Sequence, residues 1–420
     1  MTKKNILMIS QYTGQPEYNG DMRNYEWGKF LVNQGNHVYI LCSSWIHGTN
    51  IDILEENEKY RVVDDPSGIV YLYVKSSHYR DNGISRILNM LEFYFLVLKN
   101  IKVIPKPDLI IARSPNPMSC VAGIKYAKKT KIPIICDIVD LWPESIVTYK
   151  KIPRDNPLIK LLYKGEKWIY KNATSLIFSM AGGYDYIKEH NWDDVINPKK
   201  VFYVNAGVNL EVFDENKKKY QHSDKKLLDD QLFKVVYTGS VRTVNNLKLL
   251  VDAGCIIQKK GYQDIAIMIH GSGDQVEQLK EYCQSNGIKN VTLYGKIEKR
   301  QIPYVLTQSD LCVLCYQNTD LLKYGGSMNK MFEYFASGKP IIANAQMGHS
   351  IIEKYNCGVE LNCNDPEKLS DEILRFYHMP LEERQIYGRN SRKAAEDYDL
   401  KELTRNVGKI TDWTIERYRN

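Results

Sequence analysis

Lys330 and Glu333 stand three residues apart in the segment Gly325-Gly326-Ser327-Met328-Asn329-Lys330-Met331-Phe332-Glu333-Tyr334-Phe335-Ala336-Ser337-Gly338-Lys339-Pro340. Two glycines ahead of an apolar-periodic run, with Gly338 and Pro340 behind it, predict a short helix entered from a loop. A spacing of three puts Lys330 and Glu333 on one face, leaving Met331, Phe332 and Phe335 to bury the other. The amino end of such a helix offers free N–H groups and the positive end of the dipole, which favour an anion by on the order of 0.3–1 kcal/mol before any side chain acts. Lys330 would neutralise a diphosphate seated there. Glu333 accepts hydrogen bonds only, and paired ribose hydroxyls are its natural donors. An ordinary amphipathic helix with an exposed i,i+3 ion pair would look the same in isolation.

The elements around this segment favour the first reading. Short apolar runs alternate with longer helical patterns: Ile6 to Ile9, Val38 to Cys42, Val70 to Val74, Leu109 to Ala112, Ile132 to Cys136, Leu176 to Phe178 and Val201 to Val204, then Val235 to Tyr237, Ile265 to Ile269, Val291 to Tyr294, Leu311 to Leu314, Ile341 to Ala343 and Val359 to Leu361. That alternation predicts two α/β domains, each a doubly wound parallel sheet covered on both faces, with a cleft between them as the place for a substrate. The charged stretch Asp214 to Asp230, with Lys217-Lys218-Lys219, reads as the linker. The expected domains are residues 1–212 and 213–399, with a helix over 400–420 that packs back across the boundary.

Ligands of such sheets bind beyond the carboxyl ends of the strands. The loops expected there are glycine-bearing: Ser10 to Asp21 with Gly14 and Gly20, Thr238-Gly239-Ser240-Val241-Arg242, His270-Gly271-Ser272-Gly273-Asp274, and Gly295-Lys296-Ile297. Arg242 offers a fork of donors to phosphate.

At 420 residues the chain is too long for one core of usual size, and two domains of about 200 residues each are expected. Hydrophobic content of 43% with 25% charged residues excludes a disordered chain. The net charge of +7 is concentrated: between Lys99 and Lys131 stand Lys99, Lys102, Lys106, Arg113, Lys125, Lys128, Lys129 and Lys131 against Asp108 alone. No nucleic-acid reader motif accompanies this block, so an anionic membrane surface is preferred over nucleic acid. The run Ile87 to Leu98 just before it is too short to span a bilayer, which takes ~20 apolar residues. It reads either as a core helix or as a helix lying on the membrane. The nine cysteines show no metal-ligand clustering, and Cys312 and Cys315 sit in a strand run where residues three apart face opposite ways. The amino terminus has no apolar run of signal-peptide length, so a cytoplasmic location is expected.

The segment Ser327 to Pro340, the loop at Gly239, Gly207-Val208-Asn209-Leu210-Glu211-Val212-Phe213 and Asp140-Leu141-Trp142-Pro143-Glu144-Ser145 together resemble the retaining glycosyltransferases of family 4, which have the GT-B architecture. The stretch Asp140 to Ser145 is similar to the bacterial surface-polysaccharide subgroup that includes N-acetyl-L-fucosamine transferases. The resemblance implies a nucleoside-diphosphate sugar donor, expected to be UDP-linked, and a lipid-linked glycan acceptor in capsule or O-antigen synthesis on the inner membrane face. It implies that Glu333 holds the ribose and that Lys330 and Arg242 hold the diphosphate. Gly20, Gly239, Ser240, Gly271, Ser327, Met328 and Asn329 would line the donor, with Lys296 and Ile297 bordering the base. Asp140 or Glu144 would face the sugar or acceptor, without metal or cofactor, fixed cations and a helix dipole neutralising the leaving group. The chain departs from the family pattern in having Gly325 where a glutamate is usual and Asn245-Asn246 where a lysine-glycine pair is common. A nucleotide-sugar epimerase and a non-catalytic nucleotide-sugar-binding subunit are the alternatives.

Overall fold

The computed structural model describes residues 3–18, 22–79, 83–362 and 364–419. They form two compact units: Met1–Asn205 with Glu402–Asn420, and Ala206–Lys401.

In the first unit the strands are β1 (Asn5–Ile9), β2 (His37–Ser43), β3 (Tyr60–Asp64), β4 (Ile69–Val74), β5 (Leu109–Arg113), β6 (Ile134–Ile138), β7 (Ser175–Phe178) and β8 (Val201–Tyr203). They lie side by side in the order β3-β4-β2-β1-β5-β6-β7-β8. All neighbours are parallel except β3 and β4. The central strand supplies Ile6, which pairs with Val38 on one side and Leu109 on the other. Helices cover both faces of the sheet, so β5, β6 and β7 are buried at every position rather than at alternate ones.

In the second unit β9 (Phe233–Thr238), β10 (Ile265–His270), β11 (Val291–Gly295), β12 (Leu311–Leu314), β13 (Ile341–Ala343) and β14 (Gly358–Glu360) form an all-parallel sheet, ordered β11-β10-β9-β12-β13-β14. Its order reverses between β9 and β12. The chain leaving those two strands diverges to opposite sides and opens a crevice at their carboxyl ends.

Each apolar run expected to be a strand overlaps one. β3 had no such run. Tyr60-Arg61-Val62-Val63-Asp64 alternates exposed and half-buried residues at the sheet edge, a pattern that charge obscures.

The stretch Asp214 to Asp230 is not wholly a linker. Its first part belongs to the helix Leu210–Lys219, capped by the Asn209 side chain, which accepts from the Val212 amide. Leu210 and Phe213 are buried, and Arg392 grips Asp214 at 3.1 and 2.5 Å. The lysines are the solvated face of a docked helix. The unit boundary falls at Asn205/Ala206, within the polar turn ahead of that helix.

The helix Leu400–Arg419 packs on the first unit for most of its length. It buries Leu403, Val407, Ile410 and Ile415, pairs Asp412 with Lys4 at 2.8 Å, and bonds Thr414 to Ser175 at 2.7 Å. The run Ile87 to Leu98 lies in the helix Ile84–Asn100. One face buries Met90, Phe93 and Val97; the other leaves Ile84, Ile87, Leu88, Leu91 and Phe95 exposed. Among the described residues no helix is long and apolar enough to cross a membrane.

Candidate active site

The helix Asn329–Ser337 starts after Met328, whose backbone is extended, and no side chain caps its first turn. It ends at Gly338 in the left-handed conformation, φ +68°. Met331, Phe332, Tyr334 and Phe335 anchor it. The Tyr334 hydroxyl receives the Thr238 amide at 2.8 Å and reaches the Thr238 carbonyl at 3.2 Å, which fixes the helix to the end of β9.

That docking brings Lys330 over the loop after β9. Its Nζ donates to the Tyr237 hydroxyl at 2.7 Å and to Asn245 Oδ1 at 3.3 Å, and lies 4.5 Å from the centre of the Tyr237 ring. Tyr237 in turn donates to the Ser240 carbonyl at 2.8 Å, and Asn245 Nδ2 donates to the carbonyl and hydroxyl of Ser240, each at 2.8 Å. Burial pushes the Lys330 ammonium down to about 8, against the opposing pull of Cys315 and Glu333. At neutral pH it is a pre-placed cation.

The glycines make this arrangement possible by close approach. Gly239 has φ +143°, and a Cβ there would stand 2.9 Å from Lys330 Nζ. A Cβ on Gly271 would collide with the Gly239 carbonyl oxygen. The loops after β9, β10 and β11 are tied by backbone bonds from Gly239 N to His270 O at 2.9 Å and from Gly271 N to Gly295 O at 2.7 Å.

Glu333 is half-buried, and among the described residues its carboxylate has no hydrogen-bond partner. Burial raises its pKa, with Lys299 and Lys330 opposing. It is an open acceptor beside two cations. Ser327 accepts from the Ala206 amide through its hydroxyl at 3.3 Å, and Asn329 is exposed. Lys296 is exposed and Ile297 half-buried after Gly295. Arg242 is exposed, with no side-chain bond or ion pair among the described residues. It shares the loop of Gly239 but is not brought to Lys330 by any contact.

Several residues near the site carried no assigned role in the sequence reading. Asn245, a departure from the family pattern, links Lys330 to Ser240. His270 at the end of β10 is buried, stacks on Tyr294 with ring centres 4.6 Å apart, and has both ring nitrogens without a partner among the described residues. Burial, with His222 adding to it, pushes its pKa down to about 4, so the imidazole is neutral. Lys299 was hidden in the charged run Glu298-Lys299-Arg300. Gly325 has φ +96°, a backbone state that strains any glutamate, so the chain there could not carry the usual carboxylate unchanged.

In the first unit, Gly20 lies outside the described residues. Asp140 follows β6 and is solvent-exposed at its rim. Crowding by protein raises its pKa, with the guanidiniums of Arg113 and Arg86 opposing. It does not cap a helix: the next one, Glu144–Lys150, begins after Pro143, without a side-chain cap. Below it, buried Asp137 is held by Arg23 at 3.0 and 3.1 Å and by Arg113 at 3.4 Å.

Glu144, expected to face the sugar or acceptor, has partners of its own. It is buried, and its two oxygens receive Arg154 at 2.6 Å and the Tyr163 hydroxyl, with His190 at 3.7 Å. Cys312 and Cys315 are both free and buried, and among the described residues no cluster of His, Cys, Asp or Glu is placed to hold a metal ion.

Comparison with known proteins adds to this geometry. Residues 218–394 match the family described as "Glycosyl transferases group 1". An uncharacterized glycosyltransferase of Methanocaldococcus jannaschii is 23% identical over 250 residues, an alignment spanning 58% of this chain and 59% of that relative. Among solved structures, the sucrose-phosphate synthase of Thermosynechococcus elongatus superposes with a TM-score of 0.73 at 16% identity, covering 99% of this chain and 100% of the other. Anabaena HepE, in complex with UDP and glucose, superposes with a TM-score of 0.65 at 12% identity, covering 97% and 99%. The fold of the two units is thus that of the GT-B proteins, and residues 218–394 are similar to the group 1 glycosyltransferase domain.

Proposed function

We propose that the protein is a retaining glycosyltransferase that moves a sugar from a UDP-linked donor to a lipid-linked glycan in bacterial capsule or O-antigen synthesis, at the inner membrane face. One observation carries the donor half: at the reversal of the β9–β12 sheet, an uncapped helix end, a pre-placed ammonium and an unpartnered carboxylate stand within one turn of each other. The helix end and Lys330 take the diphosphate, Glu333 the ribose, and the Ser240 and Gly239 backbone the phosphate edge. As the glycosidic bond to the sugar breaks, negative charge builds on the diphosphate. Fixed donors aimed at that charge lower the barrier without metal or cofactor. UDP is chosen as the donor nucleotide because HepE, of the same fold, is found with it. In the first unit Asp140 is assigned to the sugar or acceptor.

The lipid acceptor is supported by the exposed apolar face of the helix Ile84–Asn100, next to the lysines of residues 99–131. The test is to incubate the purified chain with a panel of UDP-sugars, with and without lipid-linked glycans from a polysaccharide-producing strain, and to analyse products by mass spectrometry. Transfer is expected only with acceptor present. An altered nucleotide-sugar formed without acceptor would replace the proposal by epimerisation, and donor binding without any turnover by a non-catalytic binder.

A further inference from the structure

The basic block between Lys99 and Lys131 does not form one patch. Lys125 donates to the Tyr94 hydroxyl at 2.7 Å, Lys128 donates to the Asn172 side chain, and Arg113 is buried beside Asp137. Lys106 and Lys131 instead come together with Arg419, from the far end of the sequence, around one polar cavity of about 240 Å³. Pro107, Pro133 and Ile415 give it buried apolar walls, and Asp108 is the one acid that lines it.

The cavity lies at the amino ends of β5 and β6, because Lys106 and Asp108 lead into the first and Lys131 into the second. Ligands of parallel sheets bind at the carboxyl ends, where Asp140 stands, roughly 16 Å away along strands of this length. This is therefore a place apart from the donor and acceptor residues.

The backbone under each cation is fixed. Asn5 Nδ2 donates to the Lys106 carbonyl at 3.3 Å, and the Lys131 amide closes the helix Pro117–Thr130 on the Ala127 carbonyl. Arg419 ends the helix Leu400–Arg419, which is held by the buried Ile415 and by Thr414 on Ser175 at 2.7 Å. Lys131 has φ +55°, a left-handed state in which glycine or asparagine is usual after a helix and a lysine is strained. The turn itself does not call for a lysine.

Among the described residues the side chains of Lys106, Lys131 and Arg419 make no hydrogen bond or ion pair. Asp108 sets one oxygen against the Asn5 amide at 2.8 Å and pairs with none of them. Three cations against one carboxylate leave an excess of two positive charges around a shared space. A phosphate monoester carries about −1.5 to −2 at pH 7 and has three acceptor oxygens, so it matches both the charge and the number of donors.

We infer that this cavity binds a phosphomonoester, which links the end of the helix Leu400–Arg419 to the amino ends of β5 and β6. The site does not depend on the sugar-donor reading. Its ligand can be a soluble ester or the head group of phosphatidate, and two arms of one experiment separate these: calorimetric titration of the full chain with glycerol 3-phosphate at low ionic strength, and flotation with phosphatidylcholine vesicles with and without phosphatidate. Saturable binding of glycerol 3-phosphate is expected, with a rise in unfolding temperature. Lys106→Gln/Lys131→Gln, at two exposed positions, should weaken binding by about tenfold or more while leaving UDP affinity and the ligand-free unfolding temperature unchanged. Lys160→Gln/Lys164→Gln removes the same charge from another exposed face and should bind as the wild type does. Flotation that needs phosphatidate, is competed by glycerol 3-phosphate and is lost in Lys106→Gln/Lys131→Gln would identify the lipid as the source; titration without flotation would identify a soluble ester. If neither ligand binds, if Lys106→Gln/Lys131→Gln binds as the wild type does, or if Lys160→Gln/Lys164→Gln loses as much, the cavity is not a phosphate site. Binding lost in Lys330→Gln but kept in Lys106→Gln/Lys131→Gln would move the ester to the nucleotide site and equally overturn the inference.

Discussion

Lys330 is held by two hydrogen bonds to neighbours of its own domain, so its charge is in place without the cost of ordering a long side chain. A charge-assisted hydrogen bond of this type is worth about 1.5–3 kcal/mol. Lys330→Gln is therefore expected to raise the Kd for UDP by roughly ten- to a hundredfold in isothermal titration. The pH dependence has a definite sign. The ammonium, pushed down to about 8, stays charged below that pH. UDP affinity should be level near neutrality, fall as pH rises through about 8, and lose that step in Lys330→Gln. Glu333→Gln leaves the shape but halves the acceptor capacity, and it should weaken UDP more than free diphosphate, since the ribose is what it holds. Equal weakening of both would place Glu333 elsewhere.

Glu166 bears on stability rather than on the donor. Its folded pKa of about 8 lies above its ordinary value of 4.5. A carboxyl raised in this way contributes stability that is complete below the unfolded value and is lost as pH rises through the folded one. The facing groups are the Tyr170 and Tyr186 hydroxyls and the carboxylate of Glu144. The free energy of unfolding should decline between pH 5 and pH 8, by an amount on the order of a few kcal/mol, and Glu166→Gln should flatten that decline. A Glu166→Gln profile as steep as wild type would assign the slope to other groups.

At the scale of elements, the loops after β9, β10 and β11 work as one unit because their backbones touch where glycine leaves room. Gly271→Ala would drive a methyl group into the Gly239 carbonyl, so the loops must part. A fall in both unfolding temperature and UDP affinity is expected. An alanine variant with wild-type affinity would show that the loop arrangement is not required for the donor. The strands were legible in the sequence because parallel strands buried on both faces are unbroken apolar runs, as in Ile6 to Ile9 and Ile265 to Ile269. The helix bearing Lys330 and Glu333 was legible from its glycine entry and exit.

What the sequence hid follows from tertiary context. β3 is an edge strand whose exposed and half-buried residues alternate, but the charges of Arg61 and Asp64 mask that period in the sequence. The lysines of Leu210–Lys219 masked a helix that docks through only two buried residues. Glu144 looked reactive beside Asp140, but Arg154 and Tyr163, ten and nineteen positions along, fill its oxygens. His270 and Asn245 became recognisable only once Tyr294 and Lys330 were beside them.

At the scale of the whole molecule, each unit has its own sheet and core, and the final helix belongs with the first unit although the second precedes it in sequence. Val407 in that helix is fully buried. Val407→Asp would bury an unpaired charge, one of the changes that costs several kcal/mol. Calorimetry should then show the first unit melting earlier, while the transition that UDP raises stays in place. A single transition lowered as a whole would mean that the two units unfold together.

The central claim is that a nucleoside diphosphate lies at the amino end of Asn329–Ser337. Hydrogen exchange of the full chain with and without saturating UDP measures this directly. Strong slowing of the amides from Ser327 to Met331 and of Gly239 to Val241 is the expected result. Saturated binding that leaves both segments exchanging as in the free protein would contradict the claim.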